Sequence, residues 1–312
     1  MFNAEIKERF VKSYSSKISV RTACKQFFDI AQKYEEQWDA DLYTRTPKEV
    51  SQFLSEASGL TAQSQASAIS IIKAYVRWCL SQEDISGVQE DLLTITSISS
   101  DKFKEQTVTS PVHLQRYLNM VFDPEDFETI DNVYRTYFWL AYAGINQDDV
   151  PRIKNKDVDF SEMIIRYNGR TYPIYREGIR AIRYSVELDH IKSLRTNTGK
   201  LITLSRVDGD LIMRGRRSVF TIKTLQERVS KKQTDALDSG KTKLRLSYFK
   251  VWISGLFYRV YLDEISGIKP DFLPFITEID SAKGVKKNKS SLTKQAKYYK
   301  EDYLHWKESL SR

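Results

Sequence analysis

The sequence predicts a mainly α-helical protein of two domains, with a small antiparallel β-sheet set into the second. Three observations predict it. Apolar residues recur at three- and four-residue steps along most of the chain. The period shortens to two only in the neighbourhood of residues 163–175 and 201–213. A Ser/Thr-rich stretch without sustained period, around residues 94–112, separates the halves. The 312 residues suffice for two domains, and 41% hydrophobic with 29% charged content is ordinary for a globular protein.

Taken in order, residues 3–40 carry Ile6, Phe10, Tyr14, Cys24, Phe27, Phe28, Ala31, Tyr34 and Trp38 at helical spacing. Thr46-Pro47-Lys48-Glu49 then reads as a helix start. Thr46 is the N-cap, Pro47 fits the first turn, and Glu49 closes a capping box. Val50, Phe53 and Leu54 give that helix its apolar face, and Gly59 is its expected end. Thr61 starts a longer helix with an expected stripe of Ala66, Ile69, Ile72, Val76 and Leu80, widened by Tyr75, Trp78 and Cys79. Beyond the linker, Ser110-Pro111 opens a helix, and another begins after Asp123-Pro124. The latter is apolar nearly all round by Leu140, which marks a central core helix. Asn168-Gly169 between two β-rich runs is a strong hairpin signal. Helical patterning resumes over 179–194, 221–232 and 248–264, interrupted by a second β-like patch at 201–213 with Asp208-Gly209 as its turn. A Lys-rich loop at 283–294 leads to a last helix through Tyr298, Tyr299, Tyr303 and Trp306.

Composition excludes several classes. No apolar run approaches the roughly 18 residues that cross a bilayer, and the charged, amphipathic start does not read as a signal peptide. Cys24 and Cys79 lie in helical patterns and read as buried reduced thiols of a cytoplasmic protein. His113, His190 and His305 are scattered, so neither a metal site nor a cofactor is expected. The net charge of +8 is unevenly placed. Residues 1–100 hold 11 Lys+Arg against 13 Asp+Glu, leaving 38 against 28 beyond them. That asymmetry fits a second domain facing a polyanion.

Several blocks resemble the tyrosine-recombinase, or phage-integrase, family. Residues 46–80 are similar to its core-binding domain, with a Thr-Pro helix start, Phe-Leu, a Gly-Leu-Thr break and a long helix ending in an aromatic-Trp pair. Residues 136–160 resemble its best-marked block, with Gly144-Ile145-Asn146 at the Gly-Leu-Arg position and Asp157-Val158-Asp159 opening the sheet. Residues 246–261 resemble the second box. The resemblance implies a helical core-binding-like (SAM-like) domain at 1–95, a linker at 96–110, and an integrase-catalytic-like domain at 111–312.

An active member of that family attacks a DNA phosphodiester with a tyrosine and steadies the phosphate with two arginines, while a lysine and histidines handle protons. Fixed cations are needed where charge develops on the phosphate. Here Asn146 stands at the first arginine position and offers no fork. Ser247 and Lys250 stand at the His and Arg of the second box, Arg170 is nearest to the hairpin lysine, and no histidine falls between residues 191 and 304. Tyr298 or Tyr299 falls where the nucleophile would be, yet both also fit an apolar helix face. The expectation is therefore a non-enzymatic, sequence-specific binder of double-stranded DNA, a phage or prophage repressor. Phage repressors of the SPbeta type are its nearest example.

The expected DNA contacts are Arg166, Arg170, Arg214, Arg216, Arg217, Lys241, Lys243, Arg245 and Lys250 in the second domain. Gln65, Lys73 and Arg77 are expected on the Thr61 helix, with Gln63, Ser64 and Ser67 as further polar groups. Self-association and an antirepressor protein are further partner expectations, and no membrane is expected. Two other readings stay open: a divergent active recombinase using Lys250, Arg170 and Tyr298 or Tyr299, and a protein-interaction module with an acidic partner.

Overall fold

Two of the helices in the first 80 residues, those starting at Pro47 and Ala62, begin where a threonine side chain takes up a free backbone amide. The computed structural model describes residues 2–57, 61–99, 101–122, 128–194, 200–282 and 287–311. Helix α1 (Ala4–Tyr14) and α2 (Ile18–Trp38) divide the first periodic stretch at an extended Ser15, and α2 stops at a left-handed Asp39. Helix α3 (Pro47–Ala57) starts on the expected capping box. The Thr46 amide donates to Glu49 Oε2 at 3.0 Å, and the Glu49 amide donates to Thr46 Oγ1 at 3.4 Å. Helix α4 (Ala62–Leu80) is capped by Thr61, whose Oγ1 accepts from the Ser64 amide at 3.3 Å. The expected stop at Gly59 lies outside the described residues.

The buried face of α4 is Ala68, Ile72, Tyr75, Val76 and Cys79, so the widened side of the expected stripe faces the core and Leu80 is left 46% exposed. Tyr75 anchors that face. Its ring meets Phe28 at 4.9 Å and Phe10 at 5.1 Å between centroids, and its hydroxyl donates to Asp41 at 3.2 Å. That buried hydroxyl needs a partner, and Asp41 supplies it. Around Asp41 lies a charge cluster inside the core. Lys7 Nζ is 2.6 Å from Glu35 Oε1 and 3.3 Å from Asp41 Oδ2, all three side chains being inaccessible or nearly so. One cation serves two carboxylates. Burial, and then the charge of Asp41, push the Glu35 carboxyl up to about 7 against the pull of Lys7.

The segment expected to be a linker contains α5 (Asp101–Glu105), with Phe103 and Val108 buried. It is ordered because those two apolar side chains leave water and the Val108 amide donates to Ser254 Oγ at 3.1 Å.

Helix α6 (Pro111–Val121) starts on Ser110, whose Oγ accepts from the His113 amide at 3.1 Å. Helix α7 (Asp131–Ala143) is buried at every position, at its apolar end as the pattern predicts and also at the polar Asp131, Asn132, Arg135 and Thr136; the proposed start at Asp123-Pro124 lies outside the described residues. Strands β1 (Val158–Asp159), β2 (Ile164–Tyr167) and β3 (Arg170–Pro173) form an antiparallel sheet in sequence order. Its hairpin turns at Asn168 and Gly169, both with positive φ (48° and 71°), as the Asn-Gly signal requires. Helix α8 (Ile179–Glu187) stops sooner than expected, because His190–Leu194 is strand β4, paired antiparallel with β5 (Leu201–Ser205). There are thus two small antiparallel sheets among the described residues. The Asp208-Gly209 turn joins no strand pair, and Leu211 makes only an isolated bridge to Lys154. Helices α9 (Ile222–Asp238) and α10 (Tyr248–Ile265) complete this unit.

The last two helices, α11 (Leu273–Ala282) and α12 (Lys289–Glu308), group with the first unit and not with the second domain in which the sequence expectation places them. The chain divides into residues 1–104 with 271–308, and residues 105–270 with 309–312. The reason is local. Asp302 of α12 is 4% exposed and accepts the Ala62 amide at 2.7 Å, taking up a donor that α4 itself leaves free. Tyr303 and Trp306 are fully buried one and four residues on, with Phe272 packed on Tyr303 at 5.6 Å. The expected Lys-rich loop lies partly outside the described residues, and α12 takes in its second half.

Candidate nucleic-acid interface

The segment holding Asn146 follows the end of α7, and α10 holds it in place. Past α7 the chain turns at Gly144 (φ 104°), leaving the terminal carbonyls without helical partners. Three side chains from α10 supply them. Tyr248 Oη donates to the Ile145 carbonyl at 2.8 Å, Trp252 Nε1 to Gly144 at 3.0 Å, and Arg259 Nη1 to Tyr142 at 2.6 Å. The Arg259 cation also suits the negative end of the α7 dipole. Gly255 lets the helices meet, since a Cβ there would stand 2.0 Å from the Tyr142 oxygen. Tyr248 stacks obliquely on Tyr137 at 4.6 Å, and burial raises its hydroxyl well above the ordinary tyrosine range.

A cavity of about 760 Å³ opens between α9 and the start of α10. Lys243, Arg245 and Lys250 line it, with Gln106, Gln147 and Tyr137, and no carboxylate stands among the described lining residues. Lys250 Nζ donates to Gln106 Oε1 and to the Arg245 carbonyl, and Arg245 Nη2 donates to Ser230 Oγ at 2.5 Å. Gln147 Nε2 donates to the Tyr137 hydroxyl, which burial pushes up to about 12. The described walls of this cavity thus bring cations and no carboxylate, and phosphate oxygens are the chemistry that suits it. Ser247 Oγ caps α10 by accepting the Lys250 amide at 3.2 Å. Asn146 makes no side-chain cap on the short turn it opens, Gln147–Arg152.

The structure separates the other expected contacts into groups. Arg214 requires correction. It is 4% exposed and donates to Asp189 Oδ1 at 3.2 Å, so it is a structural residue of the turn and presents no free charge to DNA. Arg166 is half exposed but paired with Asp159 at 2.8 Å, and that carboxylate is held well below its usual range by Ser161 and Arg166. Its charge is largely spoken for. Arg170 lies at the hairpin end of β3, opposite Tyr167. Lys241 lines a different cavity in which two carboxylates, Asp131 and Asp235, balance the two lysines, Lys232 and Lys241. Arg216 and Arg217 are exposed and make no hydrogen bond or ion pair with any described residue. In the first unit, Gln65 and Lys73 are half-buried on α4 and Arg77 is exposed, with Gln65 Nε2 reaching the Ser99 carbonyl at 3.5 Å.

Tyr298 and Tyr299 lie on α12, in the first unit, and are half-buried. Tyr299 packs against Phe272 and Phe275 at 6.3 and 6.2 Å. Sequence reasoning missed Gln106, Gln147 and Arg228. The amides carry no pattern signal, and Arg228 is one cation among several on α9. It also missed Arg206, buried at 4%, whose guanidinium donates to the carbonyls of Ser185, Leu188, Ile212 and Arg214. Among the described residues no His, Cys, Asp and Glu cluster could hold a metal, and no helix is long and apolar enough to cross a membrane. Cys24 and Cys79 are buried free thiols, and burial pushes both up to about 12.

No curated protein matches the chain. Among solved structures, XerA recombinase is similar at 16% identity, over 94% of this chain and 96% of that one, with a TM-score of 0.37. A Tn1549 transposon integrase (residues 82–397), solved in complex with circular intermediate DNA, is similar at 12% identity over 85% and 88%, with a TM-score of 0.37. Residues 1–82 match a family model described as the N-terminal core-binding domain of MrpR, so helices α1–α4 form a domain similar to that one.

Proposed function

We propose that this chain binds double-stranded DNA at a preferred sequence, on a tyrosine-recombinase-like scaffold without strand-cleaving activity, and serves as a phage or prophage transcriptional repressor. The observation that carries the reading is the acid-free cavity of Lys243, Arg245 and Lys250 at the second-box position. It is suited to hold a phosphate. Cleavage would need more. Asn146 carries no charge, and the Ser247 hydroxyl is engaged as a helix cap. Phosphate contacts would give affinity and base contacts from the first unit the choice of sequence. The core-binding match over residues 1–82 supports the same division of labour.

Incubation with a nicked suicide duplex tests the reading. Saturable binding without a covalent adduct is expected. An adduct lost in the Tyr298→Phe/Tyr299→Phe double variant would overturn the non-enzymatic part and establish a divergent recombinase.

A further inference from the structure

A second basic cavity, of about 510 Å³, lies in the same unit and takes no part in the site above. Its cations are Arg216, Arg217, Arg228 and Lys192. Lys192 pairs with Glu128, which leaves the three arginines. None of them makes a hydrogen bond or ion pair with any described residue, and no carboxylate stands among the described lining residues. Glu227, beside Arg228 in sequence, faces Lys223 at 3.9 Å instead.

Backbone hydrogen bonds fix the turn that carries two of these arginines. Arg216 and Arg217 form the tip of a turn closed by the Gly215 amide donating to the Ser218 carbonyl at 2.9 Å and by an isolated bridge between Arg214 and Val219. The turn is tied on both sides, Val207 N to Gly215 O and Phe220 N to Met213 O, each 2.9 Å. The turn is closely packed at Gly215, where a Cβ would press to 3.1 Å on both Phe220 and the Ser218 oxygen. Thr221 then caps α9, which carries Arg228. Cations held in place without an anion repel one another, and a bound anion relieves that repulsion.

An independent feature points the same way. Tyr134 lines the cavity, is 4% exposed, and packs on Phe220 at 6.0 Å, yet its hydroxyl makes no hydrogen bond with any described residue. Burial pushes it up to about 12, and the nearby Arg228 charge pulls the other way, so it is a neutral donor facing a cation-rich space.

We infer that this cavity is a phosphoryl-binding seat in which Arg216, Arg217 and Arg228 fork onto the anion and Tyr134 donates to one of its oxygens. Three guanidinium groups and a hydroxyl match phosphoryl oxygens better than a carboxylate, which has only two. The volume admits a phosphorylated small molecule, and the same chemistry admits a DNA phosphodiester. The seat stands independently of the DNA-binding reading.

Calorimetric titration of the full chain with sodium pyrophosphate at low salt is the first arm, and the salt dependence of duplex binding is the second. Arg228→Gln and Tyr134→Phe are the main variants, with Arg216→Gln/Arg217→Gln as a surface variant that leaves the core untouched. Pyrophosphate binding weakened about tenfold or more by Arg228→Gln, the loss of one charge-assisted bond, assigns the seat to a free phosphorylated ligand. No pyrophosphate binding, with the duplex salt slope lowered by about one in Arg228→Gln, assigns it to a DNA phosphate. If Arg228→Gln changes neither quantity, the inference is overturned, while duplex binding by the unaltered chain keeps the proposed function intact.

Discussion

The Tyr248 hydroxyl donates to the Ile145 carbonyl at 2.8 Å, tying the start of α10 to the residue before Asn146. Both groups are buried, so neither has water to fall back on. Tyr248→Phe leaves the carbonyl without its donor and is expected to cost about 1–3 kcal/mol. Urea unfolding checks this, through a lowered midpoint with an unchanged slope. A loss below about 0.5 kcal/mol, the range of ordinary surface substitutions, contradicts the role given to the bond.

Lys7 is the only cation in the buried cluster with Glu35 and Asp41 among the described residues. Lys7→Met keeps the apolar stem and removes the charge, stranding two carboxylates. The expected cost is about 3–5 kcal/mol, a large share of the roughly 5–15 kcal/mol that holds a domain folded. Thermal unfolding by circular dichroism reads it, and near-native melting would refute the pairing.

Asp302 gives a pH signature. Burial outweighs the Ala62 bond and pushes its carboxyl up to about 7, from an ordinary value near 4. A raised acid contributes stability below its unfolded pKa and loses it as pH rises through the folded one. The first unit should therefore weaken between about pH 4 and 7. Asp302→Asn keeps an oxygen for the Ala62 amide and cannot ionise. It should match the parent at pH 4 and melt higher at pH 8. Glu35, raised in the same direction, supplies the slope that remains. Parallel melting profiles for parent and variant would rule out Asp302 as a titrating latch.

The acid-free cavity makes a salt prediction. Lys243→Gln, Arg245→Gln and Lys250→Gln should each lower the slope of log affinity against log salt by about 0.9 where the cation meets a phosphate. Arg166→Gln, whose charge is shared with Asp159, should change the slope least. Slopes unaltered in all three variants would remove the cavity from the interface.

What the sequence made legible was local. Thr46 with Glu49, Thr61 and Ser110 mark helix starts through bonds that span three residues, and Asn168-Gly169 marks a turn through backbone freedom alone. The mainly helical class followed from these and from apolar spacing. Partners distant in the chain were not legible. Ala62 and Asp302 are 240 positions apart, and nothing in the spacing near Tyr298 or Tyr299 says that α12 joins the first unit. Arg214 looked like its neighbours Arg216 and Arg217; only Asp189, 25 positions away, distinguishes a buried arginine from exposed ones. Strand β4 was hidden because a five-residue run beside α8 continues a helical pattern as readily as it begins a strand.

Binding-site mapping on genomic DNA at moderate salt, followed by competition between the recovered element and a scrambled duplex, separates sequence-specific binding from general affinity for DNA. One short recurrent element is expected, bound at least about a thousandfold more tightly than the scrambled duplex, as specific DNA-binding proteins are. Equal affinity for both duplexes would contradict it.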